Sequence, residues 1–292
     1  MRCVFPNGFA NREGEPLPLI VVKGDGGYGY DRTDLAAIRE RTRDLKATRL
    51  LYVVGLPQTL HFSMIFEAAA EAGWLKSPSR AEHIAFGSVL GPDGKTLRSR
   101  AGTSVKLIDL LDEAVARAAA VVSEKNPELH TDEAAAVANA VGIGAVKYAD
   151  LSTDRTKDYV FDYDRMLSFD GNTAPYLQYA HTRIQSIFRR GDVTPGQVRG
   201  PVVITEQTEH ELAIELLRFP DLLAEVEESL DFHRLCVHLY GMATAFSAFY
   251  EECPILRADP EIRVSRLTLC SLAARTLARG LDLLGISVLD RM

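Results

Sequence analysis

Three stretches decide how this chain folds: GGYGYDRTDLAAI (26–38), VVGLPQTLHF (53–62) and GSVLGPDGKTLRSRAG (87–102). They sit at the ends of LPLIVVKG (17–24), RLLYVVGL (49–56) and EHIAFGSVLG (82–91), short apolar runs rich in Val and Ile that close on a glycine. Between the runs lie TDLAAIRERTRDLKA (33–47) and LHFSMIFEAAAEAGW (60–74), whose apolar residues recur at helical spacing. Strands alternating with helices predict an α/β layer with mainly parallel strands. The strands present make only part of a doubly wound sheet.

From Ser104 onward the pattern turns helical. VKLIDLLDEAVARAAAVVSEK (105–125) is stopped by Asn126-Pro127, and DEAAAVANAVGIGAVKYADL (132–151) reads as a second helix loosened around Gly142 and Gly144. NTAPYLQYAHTRIQSIFRRG (172–191) has Pro175 near its start and Gly191 as a stop. GDVTPGQVRGP (191–201) is the strongest linker signal, and three or four amphipathic helices follow it. The second half is therefore expected to be an all-α bundle.

Composition bounds the classes of function. The chain has 292 residues, 47% of them hydrophobic and 25% charged, as in globular proteins of one large or two ordinary domains. No apolar run approaches a membrane span, and MRCVFPNGF at the N-terminus lacks a signal-peptide layout. Cys3, Cys236, Cys253 and Cys270 are far apart, which disfavours a zinc site or disulfide framework and fits a reducing cytoplasm. A net charge of −7 does not favour nucleic acid, but local patches overrule a global charge.

Tyr30 and Asp34 are placed to face one side of a helix start, where a carboxylate can hold a cation and a phenol can orient it. Thr33 or Asp34 reads equally as the N-cap of a helix beginning at Leu35, and from spacing alone the cap is the simpler reading. Gln58 and His61 follow a strand at its carboxyl end, where α/β proteins bind ligands; a polar loop and helix start explain them as well. Lys95, Arg98 and Arg100 lie between Gly94 and Gly102, suited to stabilising phosphate charge or to forming a solvated hairpin tip. Neither GxxxxGK[ST] nor GxGxxG is present there.

Taken in order, these stretches resemble bacterial-type arginyl-tRNA synthetase, a class I aminoacyl-tRNA synthetase. The resemblance runs on through AVKYADLSTDRTKDYVFDYDRMLSFDGNTAPYLQYAHTRI (145–184) to LTLCSLAARTLARGLDLLGISVLDRM (267–292). It implies a partial Rossmann-like catalytic domain over 1–170 and a helical DALR-type anticodon-binding domain over 171–292. By that resemblance Tyr30, Asp34 and Gln58 hold arginine, while His61, Phe86 and Gly87 lie beside ATP. Lys95, Arg98 and Arg100 match the KMSKS-like loop, with Arg98 in place of the usual second lysine. Tyr179, Tyr250, Met292 and Arg183 match positions that meet tRNA, where aromatic rings can stack on unpaired bases. The implied reactants are arginine, its tRNA and ATP with Mg2+; no bound metal or prosthetic group is implied.

The family's HIGH-type motif belongs to an earlier catalytic half, and none of the seven histidines here lies in an HxGH context. The chain alone is therefore expected not to form arginyl-adenylate at a useful rate. Three readings stay open: the carboxyl part of an arginine–tRNA ligase, a free-standing tRNA-binding module, and a paralogue whose pocket takes a guanidino metabolite. Without the earlier half, strands near 19–23 or 50–54 are expected to leave an edge and apolar faces uncovered. A homodimer or a separate partner chain would cover them.

Overall fold

The computed structural model describes residues 1–97, 106–198 and 200–292. Its contacts separate two compact units, Met1–Ser88 and Val89–Met292.

In the first unit, β1 (Arg2–Val4) pairs antiparallel with β2 (Leu19–Val22). Then come α1 (Tyr30–Arg43), β3 (Arg49–Gly55), a 3-10 turn (Leu56–Gln58), α2 (Thr59–Glu71) and β4 (Arg80–Phe86). β3 and β4 are parallel and in register from Arg49↔Arg80 to Gly55↔Phe86, as a β–α–β unit requires. The run at 17–24 does not join them among the described residues. Its partner is the chain start, because the connection between β1 and β2 doubles back on itself. Asn11 Oδ1 accepts from the Glu13 and Glu15 amides, and Gly14 takes φ +88°. The Ala10↔Pro16 bridge folds this connection into a hairpin, which brings β2 back beside β1 antiparallel.

Period-two alternation buries Leu50 and Tyr52 of β3 against Ile38 of α1 and Phe62 and Ile65 of α2. The opposite face of β3 carries Leu51 and Val53, 44% and 67% exposed. Phe86, in register with Gly55, adds a 44% exposed ring on the same side. The uncovered apolar face expected near 50–54 is thus present.

In the second unit, β5 (Val89–Leu90) pairs in parallel with β6 (Tyr159–Val160). The helices are α3 (Leu107–Lys125), α4 (Thr131–Leu151), the single turn α5 (Tyr163–Met166), α6 (Ala174–Arg190), α7 (Gln207–Ser229), α8 (Phe232–Glu252) and α9 (Pro260–Leu283). The architecture is mixed α/β followed by a helical bundle. α4 is unbroken, so Gly142 does not loosen it. A Cβ there would lie 2.7 Å from the backbone N and Cα of Val115, so the glycine lets α3 and α4 approach closely.

The linker at 191–201 does not separate two cores. Leu177, Ile184 and Phe188 of α6 share one buried cluster with Leu212 of α7, Phe246 of α8 and Leu277 of α9. Ser271 Oγ also donates to Pro195 O, tying the linker to α9 at 2.9 Å. Packing divides the chain at Ser88, a different cut from the 170/171 boundary read from the resemblance. The short β6 and α5 carry too few residues for a period to register.

Candidate functional site

The first unit holds a cavity of about 440 Å³ at the β3 carboxyl end, lined in part by Tyr30, Asp34, Gln58 and His61. Four of the residues singled out from sequence therefore meet in one place. α1 begins at Tyr30 with Gly29 as its N-cap, five residues before Leu35. Asp34 is thus inside the helix and caps nothing; Thr33 Oγ1 donates to Tyr30 O at 2.9 Å. Tyr30 is 84% exposed, its ring free to meet a ligand at the cavity mouth.

His61, in the first turn of α2, aims Nε2 at Asp34 Oδ2 across 2.7 Å. A carboxylate only accepts, so the ring donates there. Nδ1 of the same ring is 3.4 Å from Asp31 Oδ1. Asp31, which sequence reading missed, lies three residues before Asp34 on the same helix face. Its Oδ2 also accepts from the Ile20 amide at 2.7 Å, pinning α1 to β2. Two half-buried carboxylates around one imidazole make an acidic floor suited to a cationic group. Gln58 occupies the N-cap position of α2 without a capping bond, so its amide is available to the cavity.

Phe86 and Gly87 stand at the end of β4 but are not among the residues that line this cavity. Lys95 belongs to the second unit, on a hairpin closed by Gly91 N→Lys95 O (2.7 Å) and Leu97 N→Val89 O (3.1 Å). Gly94 takes φ +71° in that turn, and the Lys95 amide donates to Asp93 Oδ1. Arg98 and Arg100 lie outside the described residues. Among the described residues no three His, Cys, Asp or Glu side chains gather as a metal site.

In the helical bundle Arg183 of α6 lies between two rings. Its Cζ is 4.7 Å from the Tyr250 centroid and 5.8 Å from that of Tyr179. Arg190 Nη2 donates to the Tyr250 hydroxyl at 3.1 Å. Tyr179 is 44% exposed, so core packing does not account for it. Met292 packs against the α3–α4 cluster, at the end of a tail strapped along α6. Gln178 Nε2 donates to Ser287 O, Thr182 Oγ1 to Leu289 O and Arg189 Nη1 to Asp290 O. Burial pushes the Cys236 thiol up to about 12, which makes it inert as a nucleophile. No helix among the described residues is long and apolar enough to cross a membrane.

The chain thus carries a parallel β–α–β unit with a polar pocket at its strand end and, later in the sequence, a helical bundle with a stacked aromatic–arginine face. Residues 2–163 match the family model "tRNA synthetases class I (R), catalytic domain", and 177–292 match "DALR anticodon binding domain". The chain belongs to the arginyl-tRNA synthetase family. It is 54% identical over 291 residues to an arginine–tRNA ligase of Thermobifida fusca, covering 99% of this chain and 50% of that protein. To the corresponding ligase of Frankia casuarinae it is 57% identical over 281 residues, covering 96% of this chain and 47% of that protein. The Thermus thermophilus arginyl-tRNA synthetase structure superposes with a TM-score of 0.84 at 28% identity, over 98% of this chain and 52% of that one. The chain spans about half the length of the curated relatives it matches.

Proposed function

We propose that this chain is the carboxyl part of a cytoplasmic arginine–tRNA ligase, an ATP-dependent enzyme that joins arginine to its tRNA. One observation carries the reading: Asp34, Tyr30 and Gln58 converge on one cavity in a chain whose two halves match the catalytic and anticodon-binding families in order. In this reading the arginine guanidinium pairs with Asp34, the Tyr30 hydroxyl orients it, and Gln58 meets its edge. His61 keeps its bond to Asp34 Oδ2, and the guanidinium takes Asp34 Oδ1.

The arginine carboxylate oxygen attacks the α-phosphorus of ATP, forming the mixed anhydride as pyrophosphate leaves. His61, Phe86 and Gly87 lie beside the nucleotide, and Lys95, Arg98 and Arg100 offset the charge that gathers on the departing phosphates. Mg2+ enters with the nucleotide, as substrate. A terminal ribose hydroxyl of the tRNA then takes the arginyl group and releases AMP. Tyr179, Arg183, Tyr250 and Met292 each meet the anticodon loop, and the anticodon-binding domain begins at residue 171.

This division of labour requires the HIGH-type motif, which the sequence does not contain, whether that half is joined to this chain or supplied by another. The exposed Leu51–Val53–Phe86 face supports a covering segment, so the 292-residue chain alone should self-associate or precipitate. A clean monomer at high concentration in sedimentation would count against it. The deciding experiment is calorimetry of the purified chain with arginine, citrulline and arginine tRNA, beside arginine-dependent ATP–pyrophosphate exchange. Arginine and tRNA should bind, citrulline should not, and exchange should be absent until a segment carrying the HIGH-type motif is added. Failure of arginine to bind would end the pocket reading.

A further inference from the structure

On the first unit, away from the arginine pocket, lies an open groove of about 920 Å³ that the proposed function does not use. Arg2, Arg32, Arg39, Arg43 and Lys46 line it, against only two carboxylates, Glu40 and Asp44. Three of the cations lie along α1, Arg39 and Arg43 one helical turn apart and Arg32 two turns before Arg39, so they share a face. No ion pair among the described residues engages any of the five, although the chain as a whole carries a net charge of −7. Arg41, between two of them, is used differently: its Nη1 donates to the buried Tyr52 hydroxyl at 2.9 Å. The sequence therefore holds one arginine of this helix for the core and leaves its neighbours at 39 and 43 to solvent.

Aromatic rings complete the groove. Half-buried Trp74 lines it with the Arg39 guanidinium 5.9 Å from its ring, and Arg32 stacks 3.5 Å from the Tyr28 centroid. Stacked guanidinium planes keep their edges free to donate to phosphate oxygens, and an open indole accepts a sugar or base face. Arg32 to Arg43 spans roughly 16 Å of helix axis, about five phosphates of one strand at roughly 3.4 Å per charge. A concave surface with rings beside cations suits a threaded strand better than a flat lipid surface.

We propose that this groove is a second RNA-binding surface, which holds the sugar–phosphate backbone of the bound tRNA independently of sequence. The choice of RNA among polyanions rests on the tRNA-ligase reading; the cationic groove itself does not. The test is anisotropy binding of arginine tRNA and an unrelated tRNA to the full chain across a salt series. Wild type is compared with Arg39→Gln/Arg43→Gln, Arg39→Lys/Arg43→Lys and Tyr250→Ala.

The glutamine pair should weaken both RNAs about tenfold at low salt and reduce the slope of log K against log salt by roughly two. The lysine pair should restore the slope, and the thermal midpoint and arginine binding should stay as in wild type. Tyr250→Ala should lower affinity while nearly keeping the slope, so failure of the anticodon-face reading shows separately from failure of the groove. An unchanged slope in the glutamine pair overturns the groove, as does wild type that binds no RNA. A glutamine-pair defect confined to polyglutamate or to phosphatidylserine vesicles overturns it too, by assigning the cations to an acidic protein or a membrane.

Discussion

The Asp34 carboxylate accepts a 2.7 Å hydrogen bond from His61 Nε2, which fixes its side chain against α2 before any ligand arrives. A carboxylate already oriented loses little freedom when a guanidinium docks, so its bond to that guanidinium should be strong. Charge-assisted hydrogen bonds contribute about 1.5–3 kcal/mol. Asp34→Asn should therefore weaken arginine binding by roughly 10- to 100-fold, with a smaller loss for Asp31→Asn, which stands behind His61. Calorimetry with arginine measures both, and an Asp34→Asn chain that binds like wild type would remove the carboxylate from the pocket reading.

Gly142→Ala should destabilise the second unit, against the ordinary preference of helices for alanine. The helix gain is at most about 1 kcal/mol. The new Cβ meets Val115 backbone at 2.7 Å, where no rotamer can relieve it, and overpacking of that kind costs about 1–3 kcal/mol. Urea unfolding followed by far-UV circular dichroism should show a lower midpoint. A stabilised variant would mean that α3 and α4 are not held this close.

That glycine also shows where the sequence was legible. Helical periods at 107–125, 131–151 and 174–190 could be read directly, because apolar residues at steps of three and four must share a face. Whether a glycine in such a helix weakens it or admits a neighbour depends on what packs opposite, and Val115 is far from Gly142 in sequence. The pairing of β2 was hidden for the same reason: its partner depends on a turn at Asn11–Gly14, not on its own apolar pattern. In the pocket, Tyr30, Asp34, Gln58 and His61 stood out as chemistry at strand ends. Asp31 did not, although its spacing of three from Asp34 was a signal available to helix-face reasoning. Met292 could be named only by resemblance, since the bonds that hold its tail come from α6.

Glu209 and Arg266 form a buried pair, Oε1 to Nε at 2.6 Å, and Arg266 also donates to Pro254 O. Burial raises the Glu209 pKa, but the Thr205 amide, the Arg266 guanidinium and the Glu206 amide outweigh it and hold the carboxyl below its usual range. Glu209→Gln leaves a buried guanidinium uncompensated, a loss of about 3–5 kcal/mol. Because the folded pKa is depressed, this contribution is present above the ordinary carboxylate pKa near ~4.3 and disappears as pH falls through the lower folded value. Chemical denaturation at pH 7 and at pH 3 should show the variant's deficit shrinking in acid. A deficit independent of pH would mean that the carboxylate charge contributes nothing.

His181 should give the bundle a second, milder acid sensitivity. Its ring is almost fully buried on α6, with Nδ1 donating to Leu289 O at 3.0 Å and Nε2 facing the Gln185 amide at 3.3 Å. Both nitrogens are satisfied only when the ring is neutral, because a second proton on Nε2 would oppose the amide N–H. Burial lowers its pKa, and the Leu289 carbonyl and Asp290 offset that only in part. A depressed folded pKa gives stability that is complete above the unfolded histidine value near ~6.5 and is lost as pH falls through the folded value. His238, lowered by burial beside Glu215, acts in the same direction. Wild-type stability should therefore fall between pH 7 and pH 5. His181→Gln should start lower at pH 7, for want of the bond to Leu289, yet fall less steeply, with His238 supplying the remaining slope. Parallel pH profiles for wild type and His181→Gln would show that the buried imidazole is not the group being titrated.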